Sequence, residues 1–328
     1  MNAYRTLILV ALILTFGVVS LGAYVRLSDA GLGCPDWPGC YGKITPKHAA
    51  EHIEAELAVS PDGPVSHAKA WKEMVHRYFA GALGLMVLAI AVLGWKLRRE
   101  TRGGPWLPTF LLGLIVFQAL LGMWTVTLLL KPYVVTAHLL GGMATLSLLL
   151  WLWLRERRRS DQGYYARVEH LRGPATLALL LVGAQIALGG WVSTNYAALA
   201  CTDFPLCQGQ WVPADMDFEH AFTLHRELGE TATGELLTMA SLTAIHWVHR
   251  VMALIVFLYV GWLAIRLLRT PGYVCFGMAV GGLLLVQVAL GISNVLFSLP
   301  LGLAVAHNAG AAFLLASVVW LNHRVRRT

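Results

Sequence analysis

The sequence predicts an all-α membrane protein: eight transmembrane helices arranged as two four-helix bundles related by a parallel repeat. Three observations lead there. The 328 residues are 57% hydrophobic and only 13% charged, a balance that ordinary soluble domains do not show. Eight apolar runs, about 7–25, 76–95, 108–130, 133–154, 174–194, 246–267, 273–297 and 303–321, approach the roughly 20 residues that cross about 30 Å of hydrocarbon. Motifs also recur at a nearly constant offset. Cys34 and Cys201 are 167 residues apart, as are Cys40 and Cys207; His76 and His249 are 173 apart, His138 and His307 169. Gln118-Ala-Leu-Leu-Gly122 returns as Gln287-Val-Ala-Leu-Gly291, again 169 on. An even number of spans per half makes both halves cross in the same direction, a parallel repeat about the membrane normal. The halves are expected at 1–158 and 159–328.

The first run follows Arg5 and has no clear small-x-small cleavage site, so it reads as a retained helix and not a signal peptide. The loop after it, about 27–72, opens with Gly, Pro and Trp around Cys34 and Cys40, a turn-forming composition. Residues 48–60 are rich in Ala, Glu and His and suit a short surface helix. The second run begins at Glu73-Met-Val-His76-Arg77, and the fourth carries His138. The second long loop, about 195–245, holds Cys201 and Cys207. The sixth run begins at His246-Trp-Val-His249-Arg250, and the eighth carries His307. All four histidines are expected within the first one or two turns of their spans, at one depth near the outer side.

Orientation follows from the basic residues. Lys96, Arg98, Arg99 and Arg102 lie between runs two and three. Arg155, Arg157, Arg158, Arg159, Arg167 and Arg172 lie between four and five. Arg266 and Arg269 lie between six and seven, and Arg324, Arg326 and Arg327 end the chain; the short connections opposite hold only Lys131. By the positive-inside rule both termini are cytoplasmic and the two long, net acidic loops are outside. The charge of +7 is thus sorted across a membrane and does not signal nucleic acid. Four cysteines in an oxidising compartment suggest two short disulfides. The C-x5-C spacing also permits a metal or a redox-active pair. C-x-x-C-H is absent, so covalent haem attachment is not expected. No transit-like leader precedes the first run, which favours a bacterial cytoplasmic membrane over a mitochondrial one.

Four histidines in membrane-grade sequence need a reason, because polar groups there are costly. One such histidine is as well explained by packing; four, in matched pairs at one depth, point to axial ligation of haem iron. Zinc would ask for three or four protein ligands, and each half offers two histidines. His76 and His138 would form one pair, His249 and His307 the other. Gly81, Gly84, Gly141, Gly142 and Gly310 would let a flat macrocycle approach the backbone, or serve ordinary small-residue helix packing. Arg77 and Arg250 suit carboxylates such as propionates, the alternative being arginines snorkelling to the interface. Gln118, Gln185 and Gln287 read as bridges between helices. Glu73 is the main asymmetry, because the repeat puts His246 in its place. A carboxyl beside a haem edge could move protons or stabilise a cation.

Taken together, Gly-Leu-Gly-Cys34-Pro-Asp-Trp-Pro-Gly-Cys40, Cys201-Thr-Asp-Phe-Pro-Leu-Cys207, Glu73-x-x-His76-Arg77 and His249-Arg250 resemble the haem A synthase family over nearly the whole chain. The resemblance implies an oxidoreductase that oxidises a methyl group of haem O to the formyl group of haem A for terminal oxidase assembly. It implies haem O between His76 and His138 with Glu73 essential beside it, and a haem b cofactor held by His249 and His307. It further implies a functionally important, redox-capable Cys34–Cys40 pair with Cys201–Cys207 as its structural counterpart. His246 departs from the pattern as a competing ligand for the second iron. The partners implied are haem O, membrane lipid, an unidentified electron donor, the haem O synthase (protohaem farnesyltransferase) and the oxidase under assembly; self-association stays open. The same four histidines would also serve a dihaem cytochrome that only moves electrons, or a haem-binding assembly factor without catalysis.

Overall fold

A computed structural model of the chain describes residues 2–157 and 168–326. Its helices are α1 (Asn2–Leu27), α2 (Ala50–Val59), α3 (His67–Lys96), α4 (Trp106–Thr127), α5 (Pro132–Glu156), α6 (Arg172–Thr194), α7 (Phe218–Ala221), α8 (Met239–Leu268), α9 (Val274–Leu296) and α10 (Leu301–Val325). No strand occurs among the described residues. Among the described residues, eight helices are long and apolar enough to cross a membrane: α1, α3, α4, α5, α6 with the turn before it, α8, α9 and α10. The chain is an all-α, multi-pass membrane protein. Arg158, Arg159, Arg167 and Arg327, and the 158/159 boundary, lie outside the described residues.

Two helices begin earlier than their apolar runs. α3 starts at His67, not near 76, and α8 at Met239, not near 246. The apolar run marks the hydrocarbon, but the helix nucleates further out on its cap. The Ser66 hydroxyl accepts from the Lys69 N–H at 3.2 Å, and Thr238 accepts from the Ser241 N–H at 3.3 Å, each satisfying an otherwise orphaned donor. The extra turns of α3 are held by packing: Ala70 and Met74 join Cys34, Cys40 and Ile53 in a buried cluster. His76 is therefore about 13 Å along α3 at 1.5 Å per residue, not in its first turns. His249 is similarly placed in α8, whereas His138 and His307 do fall in the second turn of α5 and α10.

The long helices close into two rings of neighbours. α1, α3, α4 and α5 form one; α6, α8, α9 and α10 form the other. Between the rings, α5 packs on α6, α1 on α10, and α5 on α10. The first two of these contacts exchange under the sequence repeat. At the end that carries the disulfide loops, Arg26 donates to the Ser193 carbonyl at 2.8 Å and the Tyr196 hydroxyl donates to Asp29 at 2.8 Å, and both pairs are 167 residues apart. Counterparts that touch each other lie near an axis relating two copies, as in any two-fold interface. The hairpins at this end match as well. Leu129 and Leu130 between α4 and α5, and Ser298 and Leu299 between α9 and α10, all take positive φ. Left-handed backbone is unfavourable for such residues, so the same tight turn made twice is a built feature that sets where His138 and His307 enter the membrane.

Candidate functional site

Each of the four histidines leans on a glycine of the neighbouring helix. A Cβ at Gly22 of α1 would stand 3.0 Å from Cε1 of His76; at Gly122 of α4, 3.4 Å from His138; at Gly189 of α6, 3.2 Å from His249; at Gly291 of α9, 3.1 Å from His307. Gly22 and Gly189 are repeat counterparts, as are Gly122 and Gly291. These four glycines escaped the reading of the sequence, although their offsets, shared with the histidines' repeat, were a usable signal. Of the glycines singled out there, Gly141 and Gly310 are covered by Gln118 and Gln287, Gly142 meets Val19, and Gly81 and Gly84 face open space. Gly291→Val should push His307 off its seat and weaken haem retention by about tenfold, the loss typical of disturbing a ligand's supporting contacts. Haem-to-protein stoichiometry after purification measures it; an unchanged stoichiometry would count against the glycine seat.

The rings pair within the bundles. His76 lies within electrostatic reach of His138, and His249 of His307. All four sit deep in the fold yet keep accessible surface, so they border internal space and not only packed side chains. Nδ1 of His76, His138 and His307 is buried without a hydrogen-bond partner. In the second bundle amides reach the rings: Gln185 Nε2 lies 3.1 Å from Nδ1 of His249, and Gln287 Nε2 3.4 Å from Nε2 of His307. Both glutamines bridge neighbouring helices. The repeat places Val18 opposite Gln185, so the first bundle lacks that amide. Among the described residues no group of three or more His, Cys, Asp or Glu side chains could hold a metal ion. Two imidazoles per bundle, glycine-backed and bordering internal space, fit the axial ligation of haem iron and fall short of a zinc set.

The other singled-out residues build a second, adjoining feature. Cys34–Cys40 and Cys201–Cys207 are disulfide-bonded, with Cα–Cα separations of 4.9 and 4.8 Å. Inside each loop an aspartate gathers the backbone. Asp36 accepts from the Tyr41 and Gly42 amides at 2.6 Å each, and Asp203 from Gln208 at 2.7 Å and Gly209 at 2.9 Å. The Gly209 amide, with that of Gln208, holds the Asp203 carboxyl below the usual carboxylate range.

Each loop is then clamped to its helix. Arg77 donates to the carbonyls of Asp36 at 2.8 Å and Gly39 at 2.5 Å, and to Glu73 at 2.6 Å. Arg250 donates to the carbonyls of Asp203, Leu206 and Cys201, each at 2.8 Å, and to Nε2 of His246 at 3.2 Å. The guanidiniums expected to meet propionates thus have the disulfide loops as their partners. Glu73 accepts from the Cys34 amide at 2.9 Å, and Nδ1 of His246 lies 3.4 Å from the Cys201 amide. Glu73 and His246 are one structural device in two chemistries, each facing an arginine and a cysteine amide. A carboxylate accepts from both at once; a neutral imidazole has one acceptor nitrogen, which accounts for the longer contact in the second loop. Both ring nitrogens of His246 face this clamp, and the side chain is buried.

A family model described as Cytochrome oxidase assembly protein matches residues 5–319. A protein of Shewanella oneidensis named Heme A synthase is 45% identical over 97% of this chain and 95% of its own length. Proteins of the same name from Caulobacter vibrioides and Paracoccus denitrificans are 30% and 28% identical, covering 96% and 99% of this chain and 93% and 88% of their own lengths.

Proposed function

The chain belongs to the cytochrome oxidase assembly protein family (COX15-CtaA), and from that membership together with its relatives we infer that it is a haem A synthase, an oxidoreductase of haem A biosynthesis. The reaction we assign is the successive oxidation of a methyl group of haem O to the formyl group of haem A. Haem O would lie in the first bundle between His76 and His138. A haem b cofactor would lie in the second, between His249 and His307, and there it would supply one-electron redox capacity that side chains lack.

The observation that carries the assignment of halves is the exchange of Glu73 for His246 at equivalent positions of otherwise matching clamps. Two passive electron carriers would need no such difference. Glu73 stands three residues before His76, on the same helix face, so its carboxylate adjoins the ring that would hold the substrate. Each carboxylate oxygen keeps a lone pair beyond its present bond. It can therefore take up or return a proton at the substrate edge while still holding the loop. His76 and His138 orient the substrate through its iron, and Gly22 and Gly122 behind them fix the ring planes. Gln185 and Gln287 place their side-chain amides against the imidazoles of the cofactor site; turned so that the amide oxygen, now unpartnered, meets the ring, each would accept the N–H of an iron-bound histidine.

The membrane would be the bacterial cytoplasmic membrane, with both termini inside and the two disulfide loops on the oxidising outer side. There the protein would receive haem O from the haem O synthase and deliver haem A to the oxidase under assembly. Purification from cells that supply haem O, followed by extraction and chromatography of the haems, tests the assignment. Haem A, with haem b, is the expected result. A chain that never carries anything but haem b would be an electron carrier, and the assignment would fall.

A further inference from the structure

The two rings of helices differ at one seam. Three of the four neighbouring pairs in the first ring pack about as closely as their counterparts in the second; α3 and α4 touch far more sparsely than α8 and α9. The reason can be read residue by residue along the repeat. On α9, a Cβ at Gly277 would come within 2.9 Å of the Ala264 carbonyl oxygen of α8, and one at Gly281 within 3.4 Å of the Ala264 methyl. On α8, Gly261 faces Leu284 at 3.8 Å. Small residues let these two backbones approach, the usual basis of tight helix contact in a bilayer. The counterparts of Gly261, Gly277 and Gly281 in the first half are Leu88, Pro108 and Leu112. Bulkier residues thus stand where the second seam has glycine.

The first seam has its close polar and glycine contacts at the C-terminal end of α3. There Trp95 Nε1 donates to Thr109 at 3.0 Å, and Gly94 meets the Pro108 ring at 3.2 Å. Nearer the N-terminus of α3, Gly84 has no heavy atom within 4 Å of where a Cβ would stand. It lies between the buried Val87 and Ala91, three and seven residues on, and the exposed Leu85 and Leu88, so the open space is at the rim of the bundle, between its interior and lipid. Its repeat counterpart is Phe257, which is packed against the core of the second bundle. Gly84 is about 12 Å along the helix axis from His76. The first bundle thus has a packed core at Leu83, Val87, Ile90, Leu111, Leu149 and Leu152 but leaves the place of Phe257 empty beside Gly84, at its sparsely packed seam.

We propose that the α3–α4 seam, opened at Gly84, is the lateral port and groove through which the first bundle takes a haem bearing a long apolar isoprenoid tail from the bilayer. This rests on the assignment of haem O to the first bundle and adds to it how the tail is recognised. A substrate must enter and leave, whereas a resident cofactor need not. Haem O differs from protohaem by such a tail, so the half that binds it needs an apolar groove that the other half can fill with Phe257.

The test uses the full chain in lipid nanodiscs, with its haem b in place, titrated separately with haem O and with protohaem. In Gly84→Phe the affinity for haem O should fall by at least about tenfold, the scale on which pocket volume discriminates apolar groups, with protohaem binding changed by less than about twofold. Gly84→Leu should do the same to a smaller degree. It decides the matter if the phenylalanine variant fails to retain haem b and so reports misfolding. Wild-type affinity for haem O in both variants, or equal loss of both haems, overturns the port and groove. A wild-type chain that takes up no haem O at all overturns instead the functional assignment on which they rest.

Discussion

Replacing Glu73 by histidine, the residue its counterpart His246 supplies, should leave the protein folded and haem-loaded but lower haem A formation by at least about 100-fold, the lower end of what a positioned acid or base contributes. Glu73 and Arg77 have side chains only 5% and 11% exposed, and the Cys34 amide completes the set. Glu73→Ala would leave Arg77 Nη2 and the buried Cys34 N–H without their acceptor and the guanidinium without its counter-charge, a change that costs about 3–5 kcal/mol for a broken buried pair. It would therefore confound chemistry with stability. A histidine keeps one acceptor nitrogen for Arg77, as His246 does for Arg250 at 3.2 Å, and so separates the two. The melting temperature of the haem b-loaded protein reports the clamp, and the ratio of haem A to haem O in extracts reports the chemistry. Haem A at wild-type levels from Glu73→His would show that Glu73 only seats the loop. A collapse in melting temperature equal to that of Glu73→Ala would show that the clamp requires a carboxylate.

Histidine substitutions should sort the two bundles. His249→Ala or His307→Ala should strip most of the resident haem, lowering haem content of the purified protein by about tenfold or more, since each removes one of two axial ligands. His76→Ala or His138→Ala should leave that haem and its spectrum in place and abolish retention of haem O. His249 shares its bundle with His307, and His76 with His138, and a different glycine stands behind each ring. Loss of the resident haem in His76→Ala with retention in His249→Ala would exchange the roles of the halves. Loss in all four variants would mean that the bundles do not hold haem independently.

The difference between the helix starts and the apolar runs has a definite origin. Hydropathy reports where side chains meet hydrocarbon, so it found eight spans. It is blind to the caps at Ser66 and Thr238, which let α3 and α8 run on beyond the hydrocarbon toward the disulfide loops. Those added turns carry Ala70, Met74 and Glu73 to the Cys34–Cys40 loop. The partners of Arg77 and Arg250 were equally out of reach. An arginine beside a histidine is compatible with a propionate, and only the folded loop shows that its donors meet carbonyls at 2.5–2.8 Å.

What the sequence determined by itself is everything carried by composition, period and offset: eight apolar helices, their duplication, four histidines in two matched pairs, four cysteines in two loops, and Glu73 standing where its counterpart is His246. Hydrophobic length and internal repetition are one-dimensional quantities and survive without coordinates. The tertiary structure alone decided which backbone each imidazole rests on, that Glu73 and His246 occupy equivalent clamps, and that α3 and α4 pack more sparsely than α8 and α9. Those are contacts between residues tens of positions apart. The close approach of two helices at a glycine exists only once both helices are in place.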